Sequence, residues 1–168
     1  MEANRKLRVY FDTTIPNMLF ADDRPDWTAV TWRLWDSCAA GDYEVFVSNI
    51  FFLELRKTNE PKLSLMLEQL DRIEHREYDE TEEVVDLARD YVSHGVLTQR
   101  RFNDCLHIAY AVINNCDVLL SWNMDDLAKK SRLEKVKIVN AISRYKEIMI
   151  VAPDEFLEGA TDDHLQND

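Results

Sequence analysis

The sequence predicts an α/β domain in which a mainly parallel sheet of four or five strands lies between layers of helices. Three observations lead there. Short β-branched and aromatic runs (LRVYF, YEVFVS, DVLLS, IMIV) alternate with longer segments whose apolar residues recur every three or four positions, as in βα repetition around a parallel sheet. One run, DVLLS, is apolar almost throughout, as a strand covered on both faces must be. Finally, 168 residues with 46% hydrophobic content, three glycines and four prolines suffice for one well-buried core but not for two ordinary domains.

Taken in order, Leu7 to Phe11 form the first strand, closed by DTTIP, whose proline suits the first turn of a helix or a loop. DWTAVTWRLWDSCAAG puts Trp27, Val30, Leu34 and Cys38 on one helical stripe, with Trp35 beside it and Gly41 as C-cap. YEVFVS is the second strand, and Ser48 is an N-cap for the helix NIFFLELRKT. PKLSLMLEQL sets proline at the first helical position ahead of leucines three and four apart; RIEHREY, poorer in apolar residues, is a further strand. ETEEVVDLARDYVSHG opens with acids, keeps Val84, Val85, Ala88 and Val92 on one side and stops at a glycine. VLTQRR connects it to the strongly apolar helix RFNDCLHIAYAVINN and then to DVLLS. MDDLAKKSRLEKVKIVNAISRYKE is helical in composition, IMIV is the last strand and PDEFL is a short turn of helix. The expected domain is 1–157, and 158–168 is expected to be an acidic, disordered tail.

Thirty-two acids against twenty bases give a net charge of −12, which opposes non-specific binding to nucleic acid through phosphate neutralisation. Any nucleic-acid role must rest on a local site. Bases do gather at Arg56, Lys57 and Lys62, at Arg100 and Arg101, and at Lys129, Lys130 and Arg132, although solvated helix faces are the commoner explanation of such groups. Cys38, Cys105 and Cys116 are odd in number and show no CxxC spacing, which argues against a disulfide framework or a zinc site. No apolar run has the length of a membrane span, and MEANRKLRVYF lacks a secretory h-region, so the expectation is a cytoplasmic protein with no membrane association.

In a parallel α/β sheet the functional crevice lies beyond the carboxyl ends of the strands, where connections diverge to opposite faces. That rule selects Asp12, directly after the first strand; Glu54, in the helix leaving EVFVS; Asp104, in the first turn of the helix before DVLLS; and Asn123 just past it, with Asp125 and Asp126 close behind. Each has an ordinary explanation. Asp12 caps a helix, Glu54 lies on a helix surface (though Phe51, Phe52, Leu53 and Leu55 argue for a buried setting), Asp104 offsets a helix dipole, and Asn123 sits in a turn. Jointly they say more, because three carboxylates gathered at one rim repel unless a cation sits among them, and hard oxygen ligands select Mg²⁺ or Mn²⁺ over zinc. Such ions orient water, lower its pKa and offset charge on a phosphodiester under in-line attack, which is nuclease chemistry.

YFDTT, the glutamate in SNIFFLEL, RFNDCLHIAYA and LLSWN together resemble the successive motifs of PIN domains, and most of all those of VapC-type toxins of toxin–antitoxin pairs. The resemblance runs through NAISRYKE and APDEFL to about residue 157. It implies a PIN-like three-layer sandwich, Mg²⁺- or Mn²⁺-dependent endoribonuclease activity on an RNA substrate, and a small antitoxin that covers the site. By position it makes Asp12, Glu54 and Asp104 the acidic metal-site residues, and Thr13 or Thr14 the hydroxyl that holds a metal-bound water. Asn123 stands where many relatives have a fourth acid; its amide oxygen still ligates or hydrogen-bonds but adds no charge, and Asp125 or Asp126 would compensate from the next turn. Family habit, with the tryptophan-bearing first long helix, also raises a homodimer.

The same residues admit other readings. His107, one turn after Asp104, orients it or a phosphate, or is a satisfied core histidine; the second is the commoner case. Trp122, beside Asn123, is open as a base-stacking residue, while Trp27, Trp32 and Trp35 suit a core or an interface. FDTT also matches the start of a haloacid-dehalogenase-like phosphatase with Asp12 as nucleophile, but that family has a second aspartate where this chain has Thr14. A degenerate PIN module that binds RNA or protein without cutting is the remaining alternative, favoured by Asn123 and the acidic balance.

Overall fold

The computed structural model describes residues 5–123, 127 and 129–165, with side chains as far as 159. Five strands, β1 (Arg8–Phe11), β2 (Glu44–Ser48), β3 (His75–Tyr78), β4 (Val118–Leu120) and β5 (Met149–Val151), form one sheet in the order β3-β2-β1-β4-β5. Every pairing is parallel. The described helices are α1 (Thr14–Met18), α2 (Pro25–Ala39), α3 (Asn49–Leu55), α4 (Lys62–Leu70), α5 (Glu82–Ser93), α6 (Phe102–Ile113), α7 (Lys130–Ile142) and α8 (Pro153–Leu165), with a 3₁₀ turn at Gln99–Arg101.

Strand alternation divides the interior in two. Val9, Phe11, Val45, Val47, Val118 and Leu120 point to one face, packed with residues of α1 to α4 and α8. Tyr10, Phe46, Leu119 and Ile150 point to the other, under α5, α6 and α7. This is the three-layer sandwich the sequence predicts. Order within the sheet reverses at β1: the chain goes from β1 to β2 on one side and later returns to β4 on the other. The loops leaving β1 and β4 therefore part at a common rim, which is the crevice of such a sheet.

Local chemistry accounts for the helix ends. Ser48 Oγ accepts from Phe51 N–H at 3.4 Å and Thr81 Oγ1 from Val84 N–H at 3.2 Å, capping α3 and α5. α2 closes with Gly41 in the left-handed region (φ 85°), its N–H donating to the Cys38 carbonyl and the Asp42 N–H to that of Ser37. α6 is buried continuously from Cys105 to Val112, so it is held by packing on all sides rather than by one apolar stripe.

Several expectations change in detail. The α2 face turned to the core is Thr31, Leu34, Trp35 and Cys38, with Trp27 and Val30 only part-buried, because Trp27 instead stacks on Trp122 (ring centroids 4.6 Å apart). Pro61 is the residue before α4 rather than its first helical one. α8 is not a single turn: it continues to Leu165, into the acidic stretch expected to be disordered, with Phe156 anchoring it against Tyr43. All three cysteines are free and buried, and burial pushes each thiol up to about 12, the behaviour of inert packing residues. Among the described residues no helix is long and apolar enough to cross a membrane.

Candidate active site

Asp12 follows β1 with its backbone still bonded to the sheet, its N–H donating to the Leu120 carbonyl at 3.4 Å. It is only 3% exposed. Its Oδ1 accepts the Thr14 N–H at 3.0 Å and the Thr14 hydroxyl at 2.5 Å, and Ser121 also hydrogen-bonds the carboxylate. Thr14 Oγ1 in turn accepts the Trp122 N–H at 2.8 Å. One hydroxyl thus ties the loop leaving β1 to the loop leaving β4 and fixes the Asp12 rotamer. Thr13 plays no such part: its carbonyl accepts from the Asn17 side chain at 2.8 Å and its side chain makes no cap.

Glu54 projects from the last turn of α3, its side chain 26% exposed, and Asp104 from the first turn of α6, 21% exposed. His107, one turn after Asp104 on α6 and 1% exposed, contacts Glu54 directly and feels Asp104 through its charge. His107 Nε2 hydrogen-bonds Glu54 Oε1, and Nδ1 hydrogen-bonds the Tyr10 hydroxyl at 2.7 Å, which reaches Ser48 Oγ at 2.6 Å. Two proton arrangements satisfy the chain. Either Ser48 donates to Tyr10, Tyr10 to Nδ1 and Nε2–H to Glu54, with a neutral ring, or the ring carries both protons and Tyr10 donates to Ser48. Burial opposes the charged ring, but the Glu54 hydrogen bond and the charges of Glu54, Asp12 and Asp104 outweigh it and hold the His107 pKa above its ordinary value.

The structure therefore brings Asp12, Glu54 and Asp104, from three separated segments, around one imidazole. Burial raises the pKa of Asp12, partly offset by His107, Ser121 and Thr14. Burial likewise raises that of Asp104, partly offset by His107 and by Arg101, whose Nη1 lies 3.5 Å from Oδ2, while the Glu54 charge adds to the rise. Six polar or charged residues are buried among those described, and four of them, Asp12, Ser48, His107 and Ser121, stand here. So much polar surface in one place is unusual for a core and usual for a site.

Asn123 follows β4 at the same rim, its N–H donating to Ser121 Oγ at 3.0 Å. Asp125 and Asp126 lie outside the described residues. Among the described residues no three acids, histidines or cysteines are grouped as a ready-made metal-ligand set, Glu54 being turned to His107. Trp122 is not a stacking platform for bases: it is 5% exposed, lies flat on Trp27, and its Nε1 donates to Thr31 Oγ1 at 2.9 Å. Trp32 and Trp35 are likewise engaged within the chain, donating to the Leu19 and Gln69 carbonyls, so the tryptophans of α2 give a homodimer no particular support.

Sequence reasoning undervalued His107 and passed over Tyr10, Ser48 and Ser121. Parity is the signal that finds them. Tyr10 and Asp12, Phe46 and Ser48, Leu119 and Ser121 are each two apart, and Tyr10, Phe46 and Leu119 face α6, so polar residues two further on emerge on the α6 side of the rim. His107, three after Asp104, shares that face of α6.

A search of the curated proteins found no match. Among solved structures the chain is similar to VapBC2 from Rickettsia felis, in a crystal structure bound to a DNA fragment from their promoter, at 15% identity, TM-score 0.53, covering 87% of this chain and 98% of that one. It is also similar to Mycobacterium tuberculosis VapC20, described as a Sarcin-Ricin loop cleaving toxin, at 16% identity, TM-score 0.53, covering 71% and 93%. At those identities the likeness concerns the fold. The family model described as PIN domain matches residues 9–133, from within β1 to the first turn of α7 and across every described residue of the rim; the chain belongs to the PIN domain family.

Proposed function

We propose that this PIN-domain chain is a Mg²⁺- or Mn²⁺-dependent endoribonuclease acting in the cytoplasm, the toxin of a toxin–antitoxin pair restrained by a small antitoxin protein. The observation that carries the reading is the gathering of Asp12, Glu54 and Asp104 about one buried imidazole at the sheet's switch point. The likeness to a complex named VapBC2 and to a protein described as a Sarcin-Ricin loop cleaving toxin supports the biological setting.

The donor atoms are of the chemical kind a hard dication takes, although three of them are not drawn together as a ligand set among the described residues. All are oxygen, and burial pushes Asp12 and Asp104 toward their neutral forms, the state of carboxylates whose opposing charge is too small. Asp12, Glu54 and Asp104 would hold the ion, which when bound supplies positive charge against the phosphodiester and its attacking water. The chain's own groups do the rest. Thr14 and Ser121 hold the Asp12 carboxylate at the rim, His107 holds that of Glu54, and Asn123 offers an uncharged amide at the edge of the crevice. Arg101 Nη1 lies 3.5 Å from Asp104 Oδ2 and sets a positive charge beside that carboxylate. Thr14 occupies the place of a second catalytic aspartate and donates to Asp12, which counts against the phosphatase alternative.

Two observations favour the non-cleaving alternative: Glu54 is engaged by His107, and Asn123 brings no charge. Purified chain, stripped with chelator and incubated with defined RNAs, separates the readings. Cleavage restored by Mg²⁺ or Mn²⁺ in the wild type and absent in Asp12→Asn supports the nuclease; no cleavage at any metal concentration, with RNA still bound, supports the binding module.

A further inference from the structure

We propose that His107 is a positioning residue that clasps Glu54 and withholds it from the ion site, so that the carboxylate must leave the imidazole before it completes the set begun by Asp12 and Asp104; the inference rests on the nuclease reading above. Asp12, Glu54 and Asp104 all stand close enough to the imidazole for their charges to act on it. Yet with Glu54 Oε1 bonded to Nε2, no three acids, histidines or cysteines among the described residues are grouped to hold a cation. Proximity without a ligand set means that a member is engaged elsewhere. Asp12 is bonded by the hydroxyls of Thr14 and Ser121 and by one backbone N–H, uncharged donors that leave its charge to be met. The Arg101 contact to Asp104 lies at 3.5 Å, the outer limit of a hydrogen bond. Glu54 is the member whose partner is buried and held from behind.

The clasp is built so that the carboxylate moves and the ring does not. Nδ1 is fixed by the Tyr10 hydroxyl at 2.7 Å, and that hydroxyl by Ser48 Oγ at 2.6 Å, so the imidazole cannot follow a departing partner. In both proton arrangements described above Nε2–H donates to Glu54, and the clasp does not depend on which of them holds. Glu54, by contrast, is 26% exposed along its side chain, and a rotation about its own bonds frees it without unpacking the core. The start of α3 stays tied meanwhile: Asn49 Oδ1 accepts from the Tyr110 hydroxyl, three residues after His107 on the same face of α6. Carboxylates gathered at one rim repel each other, and the imidazole gives one of them a partner. An arriving cation competes with that partner for Glu54. A hydrogen bond to a charged group, if wholly given up, weakens ion binding by about ten- to a hundredfold.

The test measures Mn²⁺ binding to chelator-treated full-length protein by electron paramagnetic resonance of the free ion, with no RNA present, and follows the His107 ring N–H by NMR as Mg²⁺ is added. His107→Leu combined with Tyr10→Phe removes the clasp and its anchor together, leaving no orphaned hydroxyl or ring nitrogen, and is expected to tighten Mn²⁺ binding about tenfold or more. His107→Gln keeps a side-chain N–H for Glu54 and should stay within about threefold of wild type. In a Glu54→Gln background the same pair of substitutions should change Mn²⁺ affinity by less than about twofold, because no carboxylate is left to release. Tightening there would trace the gain to the loss of the ring's charge and overturn the clasp. A folded double variant that binds Mn²⁺ no more tightly than wild type would overturn it as well, equal affinity making His107 a core histidine and weaker affinity making it a support for Glu54 already in place. In wild type the ring N–H signal, sheltered from exchange by burial, should shift as Mg²⁺ saturates; a signal unmoved at saturation refutes the release and needs no variant to fold. Wild-type protein that binds neither ion and cleaves no RNA overturns the nuclease reading itself, and the clasp with it.

Discussion

Removing a single oxygen, in Tyr10→Phe, tests whether the buried chain from Ser48 to Glu54 is a continuous hydrogen-bonded unit. The ring is fully buried and stays in place; only the hydroxyl between Ser48 Oγ (2.6 Å) and His107 Nδ1 (2.7 Å) is lost. Ser48 retains the Phe51 N–H, but no other partner of His107 Nδ1 is seen among the described residues. A buried polar atom deprived of its partner costs about 1–3 kcal/mol, and in a domain of this size each kcal/mol lowers Tm by about 2–4 °C. The expected fall is therefore about 4–8 °C for a central loss of about 2 kcal/mol. In urea the midpoint should drop at constant m-value. Tyr78→Phe is the control, since its hydroxyl is part-exposed and only 3.3 Å from Arg8 Nη2; it should change stability by less than about 0.5 kcal/mol. A Tyr10→Phe protein as stable as wild type, or a double-mutant cycle with Ser48→Ala showing no coupling, would refute the unit.

Three further outcomes are expected. Asp104→Asn should abolish RNA cleavage and, without metal, melt at or above the wild-type temperature at pH 7. The native pKa of Asp104 is raised, so its contribution to stability is present below the ordinary aspartate value and is lost as pH rises through the raised one; the gap between the variants should close in acid, and a lower melting temperature for the variant at pH 7 would contradict this. Mn²⁺ added to chelator-treated wild type should raise Tm in proportion to RT ln(1 + [L]/Kd), with little effect on Asp12→Asn; equal shifts in both would remove Asp12 from the ion site. Trp122→Phe should lower stability by about 1 kcal/mol, leaving Thr31 without the indole N–H, while RNA affinity stays within about twofold; a large loss of affinity would restore Trp122 as a base-stacking residue.

Much of this was legible because strand and helix periods carry the information. The alternation of apolar runs announced the parallel sheet, and the rule that sites lie beyond strand ends picked out Asp12 and Asp104 before any geometry was known. What was not legible depends on side chains meeting across elements. His107 reads as core from its helix alone, and only the arrival of Glu54 on α3 and Tyr10 on β1 makes it the hub. Trp27 and Trp122 are distant in the chain, and neither local pattern shows that they stack on one another. Choosing Thr14 over Thr13 required the Trp122 N–H to be seen approaching it. The length of α8 escaped because acidic composition argues for solvent, whereas Phe156 docking on Tyr43 fixes its start.

The continuous burial of α6 has a kinetic corollary. Amide protons from Ile108 to Val112 can meet solvent only when the packing layers on both sides separate, so they should exchange through global opening and last longest in deuterium oxide. The two-turn α3, with Leu53 exposed, lacks that continuous burial. Any local opening at the rim would then start at α3, with α6 as the stationary wall.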